Sequence, residues 1–130
     1  MRTDPLVDRV ATATEADTDI VALLLYGSRA KGTAEADSDY DFAVIYQNPK
    51  DQHSTWVSRA ARLGIELTDQ LGLSERTLSM IDINNAPYPV AFNALNGHVI
   101  WCRDPSRLAT ERVRVSALLE ETYGRLYDAT

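Results

Sequence analysis

Alternating hydrophobic and polar segments along the chain predict a protein of the α/β class. Two apolar runs rich in β-branched and aromatic residues, 20–26 and 40–46, predict buried strands. Shorter apolar runs at 77–83 and 98–102 predict two more strands. Because segments with helical spacing separate these strands, we expect a small mixed sheet of about four strands with helices packed on it.

Apolar residues at three- and four-residue spacing predict the helices, which we place at 4–18, 52–71 and about 104–127. Asp4 is a typical N-cap, and Pro5 suits the first helical position. Gly72 follows the second of these helices at the place of a C-terminal cap. A short irregular or helical piece is expected after residue 86.

The composition and net charge of the chain exclude several classes of protein. The chain has 130 residues, which predicts a single domain over 1–130. Its formal net charge of -6 argues against broad nucleic-acid binding, which needs a positive surface. The longest apolar run, 20–26, is far shorter than the roughly 20 residues of a membrane span, so we expect a cytoplasmic protein without membrane contact. A lone cysteine, Cys102, excludes an internal disulfide framework.

A short polar segment after the first strand has the features of a phosphate-binding site. Gly27 ends the strand and, without a Cβ, lets another molecule approach the backbone. Ser28 offers a hydroxyl and, if a short helix begins there, an N-cap beside N–H groups that bind phosphate. Arg29 and Lys31 add positive charge, and Ser38 joins them as a candidate nucleotide-binding residue.

Two acidic residues open the second strand. Asp39 and Asp41 are separated by one residue, so alternation places both carboxylates on the same face, about 6–7 Å apart. Such a pair repels unless a cation lies between them, and Mg²⁺ binds carboxylate and phosphate oxygens together. Alone, a Gly-Ser turn or an Asp-x-Asp is more typical of an ordinary turn, cap or solvated loop. Their conjunction across two buried strands indicates nucleotide chemistry.

The same residues resemble a known signature. Gly27-Ser28, ten intervening residues and Asp39-Tyr40-Asp41 are similar to the motif of the DNA polymerase β-like nucleotidyltransferase superfamily. The segments 27–32 and 38–44 resemble its minimal nucleotidyltransferase (MNT) branch, whose members are often encoded beside a HEPN-domain partner as toxin–antitoxin pairs. Segments 82–87 and 96–104 resemble the later motifs of this branch.

This resemblance implies a polymerase β-like fold and a metal-dependent nucleotidyltransferase. It implies ATP as substrate, Mg²⁺ as cofactor, with two ions expected, and transfer of AMP to a tyrosine hydroxyl of a partner HEPN toxin. The chain would then act as an antitoxin. Carried over to this sequence, Ser28 would hold the triphosphate, and Asp39 and Asp41 would be the metal ligands and catalytic carboxylates.

One position departs from the superfamily pattern. The resemblance implies a third carboxylate from a neighbouring strand, and the aligned residue is Ser79. Asp82 is the nearest carboxylate on that strand, but an offset of three residues points it to the opposite face unless a bulge intervenes. Glu66 and Asp69 on the preceding helix are weaker substitutes.

The missing carboxylate leaves two main hypotheses open. The first is an active adenylyltransferase that modifies its partner, with Asp82 as a candidate third carboxylate. The second is a catalytically impaired antitoxin of the same fold that neutralises its toxin by binding alone. Transfer to a small molecule is a third, weaker hypothesis, because the chain has no room for an added domain to hold such an acceptor.

Overall fold

A four-stranded mixed sheet forms the centre of the molecule, of which the computed structural model describes residues 4–35, 38–49 and 58–124. The strands are β1 (Ile20–Tyr26), β2 (Tyr40–Tyr46), β3 (Leu78–Asp82) and β4 (His98–Cys102). Their order is β3-β2-β1-β4; β2 and β3 run parallel, and the other neighbours antiparallel. The predicted mixed sheet is confirmed.

Within these described ranges, five α-helices connect and cover the strands: α1 (Pro5–Glu15), α2 (Ser28–Lys31), α3 (Arg59–Gln70), α4 (Tyr88–Leu95) and α5 (Pro105–Leu119). A π-helical turn, Glu120–Gly124, follows α5. The first predicted helix ends earlier than residue 18, because the Asp17 carbonyl and carboxylate accept hydrogen bonds from the chain as it enters β1. The predicted residues 52–57 and 125–127 lie outside the described part of the chain.

Two predicted helix caps are present. Asp4 accepts a hydrogen bond from the backbone N–H of Leu6 at 2.9 Å, which satisfies one of the free donors at the start of α1. Gly72 follows α3 with a φ of 65°. Its N–H and that of Leu73 return to carbonyls of the last helical turn, so the glycine permits a left-handed turn that ends the helix.

Each face of the sheet has its own core. On one face, which we call the α1/α3 face, alternate residues of β2 pack with α1 and α3: Phe42, Val44 and Tyr46. On the other, the α4/α5 face, the intervening β2 residues Ala43 and Ile45 pack with α4 and α5. Asp41 has the same alternation as Ala43, so it points to the α4/α5 face, where the functional residues gather.

Across the described ranges, we find no helix with the length and apolar character that crossing a membrane requires.

Candidate functional site

Three neighbouring strands bring the predicted motif residues to one end of the sheet. Tyr26, the last residue of β1, pairs with Asp41 on β2. Asp41 pairs in turn with Ser79 on β3. Asp39 directly precedes β2, and strand alternation places it on the same face as Asp41. The acidic pair therefore lies between the glycine-serine turn after β1 and the serine of β3.

The electrostatics of the pair suit a divalent cation. Asp41 is half-buried, whereas Asp39 is exposed. Burial and, second, the nearby negative charge of Asp39 raise the pKa of the Asp41 carboxyl above its usual value. Two hard oxygen donors that repel each other in this way match the ligand preference of Mg²⁺. The residues present therefore fit the metal that the sequence pattern implies.

Gly27 holds the turn directly against the acidic pair. Its backbone has a φ of 73° and a ψ of −156°, a conformation that residues with a Cβ rarely adopt. A Cβ at this position would lie only 2.5 Å from Oδ2 of Asp41. The sequence predicts that Gly27 lets another molecule approach the backbone closely. In the structure, the group that lies against Gly27 is the carboxylate of Asp41.

Ser28 opens the four-residue helix α2. Gly27 occupies the N-cap position, so Ser28 is the first helical residue and not the cap. Its carbonyl accepts the N–H groups of Gly32 and Thr33, which closes the turn. Its hydroxyl makes no hydrogen bond to any residue within the described ranges, and the side chain is half-buried beside Gly27. This hydroxyl is thus available to a ligand.

Arg29 and Ser38 make hydrogen bonds that hold the loop before β2, from which Asp39 projects. The Arg29 guanidinium donates from Nη2 to the Ser38 carbonyl at 2.9 Å and lies 4.2 Å from the centre of the Tyr40 ring. Tyr40 is on the α1/α3 face, opposite to Asp41. The Ser38 hydroxyl accepts the N–H of Glu35 at 2.9 Å. In this structure both residues position the loop, although the sequence predicts contacts with nucleotide.

Asp82 lies away from the acidic pair. It is only 3 % exposed, and its carboxylate accepts the Asn84 N–H at 2.9 Å and the Asn85 amide at 2.8 Å. It therefore caps the turn after β3, on the face opposite to that of Ser79. Strand pairing instead brings Ser79, which is exposed, next to Asp41. The structure does not bring Asp82, the candidate third carboxylate, to the acidic pair.

No other acidic residue that the structure describes supplies a third carboxylate beside Asp39 and Asp41. Glu66 and Asp69 are exposed on α3, which packs on the α1/α3 face. Within the described ranges there is no group of three or more His, Cys, Asp or Glu side chains placed to hold a metal ion. Asp39 and Asp41 remain a pair, so a bound cation would complete its coordination with water and ligand oxygens.

A cavity of about 420 Å³ adjoins the glycine turn on the side of β4. Helix α2, the end of β1, the last turns of α4 and the start of β4 enclose it. The described lining residues are Tyr26, Gly27, Ala30, Lys31, Asn93, Asn96, Gly97 and His98. Of the predicted site residues, Gly27 and Lys31 face this cavity.

The chain matches a known protein family in sequence and several solved structures in fold. A family profile described as polymerase beta, nucleotidyltransferase matches residues 9–106. The chain belongs to the polymerase beta nucleotidyltransferase family. No curated protein sequence matches the chain.

Three solved structures share the fold of this nucleotidyltransferase. A toxin–antitoxin with AMP-PNP is 16% identical, with coverage of 95% of this chain and 96% of that one and a TM-score of 0.69. The toxin–antitoxin MntA–HepT is 14% identical, with 95% coverage of both chains and a TM-score of 0.64. A tri-AMPylated HEPN toxin of Shewanella oneidensis in complex with its MNT antitoxin is 15% identical, covering 95% and 94%, with a TM-score of 0.62.

The cavity beside the candidate site is lined by residues that the sequence pattern does not reveal. Asn93 lies on α4, Asn96 caps the C-terminal end of α4, and His98 begins β4; the pairing of β4 with β1 brings these residues beside the Gly27 turn. His98 Nε2 lies 2.6 Å from the carbonyl oxygen of Ala30, so it fastens α2 to the edge of the sheet. Nothing in the local sequence signals this contact, because it joins residues far apart in the chain.

Replacing His98 with alanine is expected to loosen α2. One hydrogen bond of about 1 kcal/mol is lost, which predicts about fivefold faster hydrogen–deuterium exchange of the amides of Lys31 and Gly32. His98→Gln is the matched control, because its amide nitrogen can donate to the same carbonyl and keep exchange slow. Equal exchange in the wild type and His98→Ala would show that the contact does not hold α2.

Proposed function

We propose that this nucleotidyltransferase transfers AMP from ATP to a tyrosine hydroxyl of a partner HEPN toxin and so acts as an antitoxin. The observation that carries the proposal is the packing of the Gly27 turn on Asp41, beside Asp39, in a chain of the polymerase beta nucleotidyltransferase family. The similar structures support the choice of nucleotide and partner, since one contains AMP-PNP and another an AMPylated HEPN toxin.

Each residue of the site has a defined task in this proposal. The Ser28 hydroxyl donates to a phosphate oxygen, and the ammonium of Lys31 offsets phosphate charge at the mouth of the cavity. Asp39 and Asp41 would hold Mg²⁺, which when bound neutralises triphosphate charge and polarises the reacting oxygens. Arg29 acts indirectly, because it fixes the loop from which Asp39 projects.

The transfer of AMP needs no reactant other than ATP and the partner's tyrosine. The tyrosine oxygen forms a bond to the α-phosphorus of ATP, and the bond from that phosphorus to the bridging oxygen breaks. Pyrophosphate leaves with the electron pair. The phenolic proton passes to solvent, because Ser79, the residue beside Asp41 on β3, is not a base at neutral pH.

Ser79 also supports a second candidate function. With a hydroxyl where the resemblance implies a carboxylate, the chain could neutralise its toxin by binding alone, with little or no transfer. This hypothesis predicts that neutralisation does not depend on the acidic pair, whereas the enzyme hypothesis predicts that it does.

A labelling experiment separates the two functions. The purified chain is incubated with its neighbouring HEPN protein, Mg²⁺ and ATP labelled at the α-phosphate. We expect label on a partner tyrosine, reduced about 100-fold or more by Asp39→Asn. Asp69→Asn on α3 is the matched control, since it removes an exposed carboxylate from the opposite face. Toxin inhibition that persists in Asp39→Asn without label would support binding alone.

Introducing a carboxylate at position 79 is expected to strengthen metal binding. Ser79 is exposed and pairs with Asp41, so Ser79→Asp would place a third carboxylate beside the pair. The Mg²⁺ concentration for half-maximal transfer is expected to fall about tenfold, equivalent to about 1.4 kcal/mol. Ser79→Asn, with the same shape and no charge, should behave as the wild type. Identical Mg²⁺ dependence in both variants would contradict the prediction.

A further inference from the structure

Tyr40 separates the two acidic residues in sequence and points to the opposite face of the sheet. Asp39 and Asp41 are on the α4/α5 face, whereas Tyr40 packs on the α1/α3 face and is only 9 % exposed. Its backbone N–H donates to the Thr77 carbonyl at 2.8 Å, just before β3. Because Asp39, Tyr40 and Asp41 are consecutive, the placement of Tyr40 fixes the backbone from which both carboxylates project.

The hydroxyl of Tyr40 joins β2 to the first helix. It donates to Oδ2 of Asp4 at 2.5 Å, while Oδ1 of the same carboxylate accepts the N–H of Leu6 and caps α1. Burial, then the hydrogen bond to Asp4 and the charge of Asp4, raise the pKa of the Tyr40 phenol above its ordinary value, although Arg29 opposes this shift. The hydroxyl therefore keeps its proton and remains a donor at physiological pH.

The ring of Tyr40 is held at the same time as its hydroxyl. The Arg29 guanidinium lies 4.2 Å from the ring centre, and the Phe42 ring stacks on the same face of the sheet at 6.2 Å, with an angle of 10° between the rings. Arg29 belongs to α2, which follows the Gly27 turn. One side chain thus connects three elements around the acidic pair: α1, α2 and β2.

The acidic pair needs a restraint of this kind. The charge of Asp39 contributes to the raised pKa of Asp41, so the two carboxylates repel each other before a cation binds. Asp39 precedes β2 and is exposed, so its position depends on its two neighbours in the chain, Ser38 and Tyr40. Arg29 holds the Ser38 carbonyl, and the contacts of Tyr40 hold the other side.

We propose that Tyr40 and Asp4 are positioning residues for the metal site, because their hydrogen bond anchors the start of β2 on α1 and holds Asp39 and Asp41 in place for a divalent cation. The inference rests on the proposed function in assigning the cation to the acidic pair. Tyr40 lies on the opposite face, so it acts through the backbone of β2 and not by contact with the ligand.

Binding of Mn²⁺ with a non-hydrolysable ATP analogue, followed by electron paramagnetic resonance, tests the inference without a transfer step. Tyr40→Phe removes only the hydroxyl and keeps the ring against Arg29. Asp4→Ser keeps an N-cap for α1, but its side chain is one bond shorter, so its oxygen does not reach Tyr40.

We expect each variant to bind Mn²⁺ about fivefold more weakly than the wild type. The double variant should bind no more weakly than either single variant, because both substitutions remove the same hydrogen bond. Denaturant unfolding is measured in parallel, since a merely structural hydrogen bond would lower stability without changing the Mn²⁺ affinity of the folded protein.

Tyr46→Phe is the matched control. Tyr46 is buried on the same face at the other end of β2, with the Arg59 guanidinium 3.5 Å from its ring centre. The substitution therefore removes a phenol hydroxyl from the same strand, far from the acidic pair, and should leave Mn²⁺ affinity as in the wild type.

Two outcomes overturn the inference and leave the proposed function intact: wild-type Mn²⁺ affinity in both Tyr40→Phe and Asp4→Ser, or additive losses in the double variant. If Mn²⁺ binding responds as predicted but the wild type transfers no label to its HEPN partner, the inference stands and the proposed function fails. Absence of Mn²⁺ binding in the wild type would contradict both.

Discussion

Replacing Gly27 with alanine is expected to reduce AMP transfer about 100-fold or more. The added Cβ would lie 2.5 Å from Oδ2 of Asp41, so the carboxylate or the turn must move by about an ångström. A displacement of that size at a reacting centre typically costs about two orders of magnitude in rate. Initial rates of label transfer to the partner, at saturating ATP, measure the loss.

Gly32, at the other end of α2, provides a control for a strained glycine in the same turn. It has a nearly identical φ of 75°, but a Cβ there would meet nothing within 4 Å. Gly32 has a ψ of 15° and lies in the left-handed helical region, where alanine costs about 1 kcal/mol, whereas the ψ of −156° at Gly27 lies in a region that is essentially restricted to glycine. Gly32→Ala therefore strains the same turn, although less than Gly27→Ala does, and it makes no clash with Asp41. We expect it to lose some stability and to retain most of its activity. Equal losses of transfer in both variants would show that strain of the turn, and not the position of Asp41, explains the effect.

Replacing Glu111 with alanine is expected to lower the free energy of unfolding by about 3 kcal/mol. Glu111 is 4 % exposed, and its carboxylate accepts from Arg107 Nε at 3.0 Å and Arg114 Nε at 2.7 Å. Asn84, in the turn after β3, donates to the same carboxylate. Removal of the carboxylate leaves two partly buried guanidinium groups without their negative partner and removes the hydrogen bond from Asn84, so that only the Arg107 guanidinium still joins α5 to that turn. Denaturant unfolding should show the loss directly.

The stabilisation by Glu111 should depend on pH. Burial alone would raise the pKa of Glu111, but hydrogen bonds from Arg114, Arg107 and Asn84 outweigh it, so the net pKa lies below the ordinary value of 4.5. A carboxyl with a lowered folded-state pKa stabilises the protein above its unfolded-state value and loses that contribution as pH falls through the lowered pKa.

Comparison of the wild type with Glu111→Gln across pH measures this effect. The difference in unfolding free energy should stay constant from about pH 5 to 8 and shrink below about pH 4.5. Glu66→Gln, which removes an exposed carboxylate from α3 far from this ion pair, is measured alongside as the control. A constant difference between wild type and Glu111→Gln down to pH 3 would contradict the proposed role of the ion pair.

The local sequence pattern predicts the buried strands and the faces to which their side chains point. The apolar runs 20–26 and 40–46 coincide with β1 and β2, because nearly every residue of those strands is buried. Strand alternation likewise places Asp41 on one face and Tyr40 on the other. Ser79 pairs with Asp41 on β2, and its alignment with the third carboxylate position stays a prediction.

Contacts between distant segments are not predictable from such patterns. The sequence predicts that Arg29 binds phosphate. In the structure, its guanidinium donates to the Ser38 carbonyl and packs on the Tyr40 ring, because β2 lies beside α2. The cavity lining comes from α4 and β4, which meet the Gly27 turn only because β4 pairs with β1. A position on a helix surface does not by itself distinguish an asparagine that lines a cavity, such as Asn93, from one that faces open solvent.

The most direct test of the central claim is a titration of Mn²⁺, as a spectroscopic substitute for Mg²⁺, with a non-hydrolysable ATP analogue, followed by electron paramagnetic resonance. Asp39 and Asp41 should bind the cation together with the nucleotide seated at the Gly27–Ser28 turn. We predict nucleotide-dependent Mn²⁺ binding in the wild type and its loss in the double variant Asp39→Asn, Asp41→Asn. Mn²⁺ binding of equal strength in both proteins, or none in the wild type, would contradict the account.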